Sequence, residues 1–167
     1  PYREIEREDL DRAAGTVHHE GVLVVAQPLS TVPFGRFVDR LPKQPVLLAL
    51  DRVSNPHNHG AILRSMAWFG ADALLTSDPR ATVNPAAIRV SQGGAERVPT
   101  VRAPDLSAAL KTLADRGVAV VAADQNGTTP LSSVIGQRPI CWVMGNEGDG
   151  LSEDVKAACT HRASIPG

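Results

Sequence analysis

The sequence predicts an α/β protein built on a parallel sheet with helices on both faces. Three observations carry that expectation: apolar runs without alternation at Val46 to Leu50, Val118 to Ala123 and Ile140 to Met144, helical patterns between them, and glycine-bearing loops where runs end. Strands that are continuous Val, Ile, Leu and Ala are buried on both faces, and parallel neighbours need helical crossovers to reach one another. The 167 residues suffice for one full core and a fragment of a second. With 17 Lys and Arg against 18 Asp and Glu the net charge is −1, so nucleic-acid binding cannot come from bulk charge and needs a local basic surface.

Charge crowds the first stretch through Asp11, after which Gly21 to Ala26 (GVLVVA) reads as a buried strand and Gln27 to Gln44 as a proline-containing connection. A domain boundary is expected there, with residues 1–32 as a remnant plus linker and 33–167 as the main domain. The VLLAL run is a strand; a helix from about Asn58 to Phe69 follows, with Asn58 as a candidate cap. Ala73 to Thr76 is the next strand, and Asn84-Pro85 is a cap and first-turn pair that opens another helix. A short strand near Val98 to Val101 leads to a helix from Asp105 to Arg116, with Leu106, Ala109, Leu110 and Leu113 on one face and Gly117 ending it. Two strands, VAVVAA and ICWVM, then flank a loop containing Gln125-Asn126-Gly127. Ser152 is placed to cap a final helix whose first turn carries Glu153 and Asp154, the charge favoured at a positive helix end.

Several classes are disfavoured. The apolar runs are far shorter than the ~18 residues of a membrane span. The first residues lack an initiator Met and a basic lead into an apolar stretch, so they read as the cut edge of a longer protein and not as a signal peptide. Cys141 and Cys159 have no CxxC spacing, which fits a reducing cytoplasm. The pairs His18-His19 and His57-x-His59 have neither cysteines nor i,i+4 histidine spacing beside them, so loop and capping roles outweigh a metal site.

Ligands of parallel α/β sheets gather where strands end and helices begin. Two loops stand there. The first runs from Asp51 through Asn58-His59-Gly60-Ala61-Ile62-Leu63-Arg64 to Phe69-Gly70, and Gly60, one turn before Arg64, is expected to leave the guanidinium an uncrowded path toward the strand ends. Taken alone, that arginine is more often a solvated charge. The second is Gly145-Asn146-Glu147-Gly148-Asp149-Gly150-Leu151, three glycines in six residues, which permits positive φ angles and close backbone approach by a ligand. Its order is GxxGxG, unlike the GxGxxG dinucleotide fingerprint, and no GK[ST] is present, so an NAD enzyme or an NTPase is poorly supported.

Together the two loops resemble the SpoU/TrmH family of RNA ribose 2′-O-methyltransferases, of the SPOUT or α/β-knot superfamily. The likeness covers most of Val46 to Gly167: an Asn-x-Gly-x-x-x-Arg run at Asn58 to Arg64, Gly-x-Glu-Gly-x-Gly-Leu at Gly145 to Leu151, and the intervening Arg89 to Val98 segment. An Ile-Pro pair that opens the family's third motif stands at Ile165-Pro166; in the family it continues into a Ser-Leu-Asn segment, which this sequence does not reach. Ala14 to Ala26 resembles the end of a small N-terminal RNA-binding domain, so the chain reads as the middle of a longer enzyme.

The resemblance implies attack by a ribose 2′-hydroxyl on the methyl of S-adenosylmethionine, with Arg64, Asn58 and Glu147 as the catalytic set. A guanidinium is effectively always protonated, so Arg64 is expected to orient the ribose and stabilise the nascent alkoxide; Asn58 positions the ribose or holds Arg64, and Glu147 orients the arginine or a nearby donor. Cofactor contacts are expected from Ala122, Ala123, Gly145, Asn146, Gly148 and Ile165, and RNA contacts from Arg36, Arg40, Lys43 and Arg52. The implied substrate is ribosomal RNA first and transfer RNA second, the implied assembly a homodimer without metal or membrane. The rival readings are a non-catalytic RNA-binding or assembly protein on this fold and a nicotinamide-dependent oxidoreductase.

Overall fold

The computed structural model describes residues 2–164. Its strands are β1 (Val32–Pro33), β2 (Val46–Leu50), β3 (Ala73–Thr76), β4 (Thr100–Arg102), β5 (Ala119–Ala123), β6 (Thr129–Pro130), β7 (Ile140–Met144) and β8 (His161–Ser164). The helices are α1 (Arg7–Ala14), α2 (Phe34–Val38), α3 (Pro56–Phe69), α4 (Pro85–Ser91), α5 (Gly94–Arg97), α6 (Leu106–Asp115) and α7 (Glu153–Ala158). All strand pairings are parallel, in the order β1-β4-β3-β2-β7-β5-β8-β6.

Each central strand divides its side chains between two cores. Leu47, Ala49, Leu75, Val120 and Val143 face α2, α6 and α7, which contribute Val38, Leu106, Leu110, Leu113 and Val155. Leu48, Leu50 and Leu74 point the other way, onto Leu63 and Met66 of α3 and onto Val98. This two-sided burial is what continuous apolar strands require. The helix α6 buries the four residues its sequence periodicity singles out, Leu106, Ala109, Leu110 and Leu113, and Asp105 caps it by accepting from the Ala108 amide at 2.9 Å. Asn84 likewise caps α4, accepting from Ala86.

Four expectations need correction. The GVLVVA segment is not a strand: Val22, Val24 and Val25 are 66%, 75% and 95% exposed, and the place beside β4 at the sheet edge is taken by Val32–Pro33. An apolar run becomes a strand only where a partner pairs with it, and propensity cannot supply one. The helix α3 starts before Asn58; its cap is Asn55, which accepts from the His57 amide at 2.9 Å, with Pro56 in the first turn, so the side chain of Asn58 is released for other work. The strand near Val98 begins only at Thr100, because the Val98 amide donates back to Gly94 and closes α5, while Pro99 has no N–H to give a ladder. Ser152 precedes α7 without a side-chain capping bond.

The sheet order has two consequences for function. First, β8 lies between β5 and β6, so the chain from Asp124 to Pro139 leaves β5, crosses β8 and returns to β7. That is the loop around which an α/β-knot is built; Ile165 and Pro166 lie outside the described residues. Second, β2 and β7 are neighbours, yet the chain leaves β2 for α3 on one face and leaves β7 for α7 on the other. Connections that diverge from adjacent parallel strands open a crevice at their C-terminal ends, the place where open α/β sheets bind ligands.

Candidate active site

The two loops singled out by sequence meet at this crevice. Asp51, only 5% exposed at the end of β2, accepts a hydrogen bond from the Ser152 amide at 2.6 Å, and its own amide donates to the Met144 carbonyl at 2.9 Å. The Arg52 guanidinium donates to the Gly150 carbonyl at 3.2 Å, and Asn146 Nδ2 donates to the Arg52 carbonyl at 3.3 Å. The second loop closes on itself: Asn146 and Gly150 exchange two backbone hydrogen bonds, at 3.1 and 2.9 Å, and Asn146 Oδ1 accepts from the Gly148 amide at 2.8 Å. The glycine-rich segment is therefore a held hairpin-like turn and not a slack one.

Its glycines do different jobs. At Gly145 a Cβ would fall onto the Gly150 carbonyl and the Leu151 amide nitrogen, so the fold-back exists only because that position has no side chain. At Gly148, where the glycine-dense loop suggests a positive φ or close backbone approach by a ligand, φ is not positive, and a Cβ would meet only Asn146 Oδ1 at 3.4 Å. That position faces open room. Gly60 also differs from expectation, since its Cα packs against α4, where a Cβ would lie 2.7 Å from Val90 Cβ, and it serves helix contact instead of clearing a path for Arg64.

Asn58 Nδ2 donates to Glu147 Oε1, joining the two motif loops by their polar side chains. Arg64 is not part of that pair. It lies six residues further along α3, about 9 Å up the axis and about 120° around it, and it is exposed in a separate cavity of about 650 Å³ with Trp68, Gln92, Gly93 and Arg97. Glu147 thus orients Asn58 and not the arginine.

The remaining expected residues scatter. Ala122 is fully buried in the core, whereas Ala123 is exposed at the open end of β5. Asn146 spends both ends of its amide inside the protein, on Arg52 and on Gly148, which makes it a loop organiser. Ile165 lies outside the described residues. Of the four expected RNA-contacting cations, Arg52 stands at the crevice, but Lys43 precedes β2, at the opposite, N-terminal end of the strands. Arg40 follows Val38, whose carbonyl accepts from Arg116 just before the start of β5, so it too sits at that far end of the strands. Arg36 is exposed on α2.

Sequence reasoning missed Asp51 and His59. His59 is fully buried; its Nε2 donates to the Val53 carbonyl at 2.8 Å, which leaves Nδ1 to accept from the Thr82 hydroxyl at 2.8 Å. The ring ties the β2–α3 loop to the approach of α4, and burial pushes its pKa below the usual 6.5. An aspartate placed directly after the continuous apolar run VLLAL, at a strand's C-terminal end, was the available signal for Asp51. Beside the crevice, Arg80 is paired with Asp78, whose carboxyl is held down to about 2 by hydrogen bonds from Arg80. Among the described residues no three His, Cys, Asp or Glu converge as a metal site would require, and no helix is long and apolar enough to cross a membrane.

Comparison with known proteins decides the family, because the sequence model described as the SpoU rRNA Methylase family matches residues 45–167. The chain belongs to that family. An uncharacterized tRNA/rRNA methyltransferase of Mycobacterium ulcerans is 41% identical over 169 residues, covering 99% of this chain and 54% of that protein. The chain therefore spans about half the length of the curated relatives it matches. Among solved structures, the SpoU methyltransferase AviRb of Streptomyces viridochromogenes in complex with AdoMet superposes with a TM-score of 0.68 at 27% identity, over 78% of this chain and 52% of that one. An AdoMet-bound rRNA methyltransferase of Sinorhizobium meliloti gives 0.67 at 26% identity, over 83% and 52%. For a SpoU family member, the crevice between the β2 and β7 ends is where both family motifs come together.

Proposed function

We propose that this chain is the catalytic portion of an enzyme that methylates a ribose 2′-hydroxyl of structured RNA, ribosomal RNA before transfer RNA, with S-adenosylmethionine as methyl donor. The observation that carries the reading is the Asn58–Glu147 bond, which locks the two motif loops together at a switch-point crevice of a SpoU family fold. Two solved relatives of this fold bind AdoMet. The residues present suit such a ligand: Gly148 faces open room, Ala123 is a small exposed side chain at the neighbouring strand end, and the turn that carries Gly148 is pinned in shape. Gly145, Gly148 and Ala123 would hold the cofactor, mostly by backbone. When bound, it supplies a methyl group on a positively charged sulfur.

The protein's own part is to prepare the ribose oxygen. A hydroxyl is a weak nucleophile until its proton leaves or the charge growing on the oxygen is stabilised. A guanidinium is effectively always protonated, so the part proposed for Arg64 is to orient the ribose and stabilise that charge. Glu147 fixes the Asn58 amide, whose carbonyl oxygen is left to accept from the ribose. Homodimerisation and a cytoplasmic location belong to the same proposal.

The experiment is a titration of the protein with S-adenosylmethionine and with NAD, followed by transfer of labelled methyl to ribosomal and transfer RNA and mapping of the modified atom. Binding of S-adenosylmethionine and label on a 2′-oxygen support the reading. Cofactor and RNA binding with no transfer favours the non-catalytic protein, label on a base refutes the ribose assignment, and preference for NAD refutes the reading altogether.

A further inference from the structure

The cavity beside Arg64 holds more chemistry than one catalytic arginine needs. It lies between the second half of α3 and the α4–α5 turn, and its lining includes Arg64 and Arg97 but no carboxylate. Neither guanidinium has an ion-pair partner among the described residues. Glu96, next to Arg97 in sequence, lines a different cleft with Leu29, Val83 and Pro99, so it does not neutralise the pair. Trp68 follows Arg64 by four positions and so shares its face of α3, and the indole is 84% exposed.

Two uncompensated guanidinium groups are suited to one phosphodiester, which they can grip by paired N–H bonds. An open indole offers a base a stacking surface whatever its identity. An apolar partner would instead favour the adjoining groove of Ile62, Met66, Trp142 and Met144, which has no charged lining. We propose that the cavity is an RNA subsite for the nucleotide next to the methylated one, its base stacked on Trp68 and its phosphate held by Arg64 and Arg97. This rests on the RNA reading above and names where the neighbouring nucleotide is gripped.

The test uses the intact chain, short oligoadenylate and oligouridylate as probes, and tryptophan emission. The chain has two tryptophans, so the Trp68 signal is obtained by difference against Trp68→Phe. The expected result is quenching of Trp68 by both oligonucleotides, an affinity about ten-fold weaker in Trp68→Ala, and a salt dependence shallower by about one phosphate contact in Arg97→Gln. Inorganic phosphate should compete without quenching. Both side chains are exposed, so urea midpoints should stay unchanged and exclude misfolding as the cause.

No RNA-induced change in the Trp68 difference signal, together with unchanged affinity in Trp68→Ala while RNA still binds and is methylated, would overturn the subsite and leave the proposed function standing. Quenching that follows protein concentration without RNA would overturn it in favour of self-association. Absence of oligonucleotide binding by the parent protein would also overturn it, whereas the proposed function is judged separately by cofactor titration and methyl transfer.

Discussion

A Cβ on Gly145 has nowhere to go without moving the Gly150 carbonyl or the Leu151 amide, so Gly145→Ala should lower stability by about 1–3 kcal/mol, read from urea midpoints. Gly148 is the contrasting case. With open room and an ordinary φ, Gly148→Val should change stability by less than about 0.5 kcal/mol yet weaken S-adenosylmethionine binding, because the new side chain fills the space the ligand needs. Equal cofactor affinity in a folded Gly148→Val protein, measured by calorimetry, would remove this loop from the pocket. The cluster of three glycines was legible in the sequence; which of them is constrained was not, since that depends on the Asn146–Gly150 fold-back, a contact between backbone atoms that no residue type announces. Asn55 and Asn58 are the opposite case: both can cap, and Asn55-Pro56 repeats the Asn84-Pro85 pattern that the sequence does announce, so Asn55 caps and Asn58 is free for Glu147.

Between elements, the His59 ring is the fastening of the β2–α3 loop to the approach of α4, and burial favours its neutral form, which donates to Val53 and accepts from Thr82. Its folded pKa is depressed by burial, so the unfolded chain binds the proton more readily. The contribution is complete above the ordinary value of 6.5 and is lost as pH falls from there through the lowered folded value. Urea midpoints at mildly acid and neutral pH should therefore separate in the parent protein and draw together in His59→Gln; equal pH dependence in both would show that the ring does not carry the effect. Elements with strong local signals were readable in advance, as the buried face of α6 and the continuous strands β2, β5 and β7 demonstrate. The exposed GVLVVA segment and the two-residue strands β1 and β6 were not, because their state is set by which partner is available and not by their own composition.

Across the molecule, β7 inserted beside β2 places both family motifs at one crevice, with chain leaving it toward opposite faces of the sheet. Sequence order alone separates Asn58 from Glu147 by 89 positions, and the parallel register Leu50 to Met144 is what closes that gap. Arg64 lies outside the Asn58–Glu147 pair, in the cavity of Trp68 and Arg97. Under the proposed function, that arrangement separates cofactor binding at the loops from ribose activation by Arg64 on α3. The most direct test is single-turnover transfer of labelled methyl to RNA by Arg64→Ala, with a parallel S-adenosylmethionine titration. Loss of one preorganised donor to a developing oxyanion costs on the order of 10²–10³ in rate, so transfer should fall by that factor while cofactor affinity stays at the parent value. Near-parent turnover, or a loss of cofactor binding that matches the loss of rate, would contradict the placement of Arg64 on the ribose.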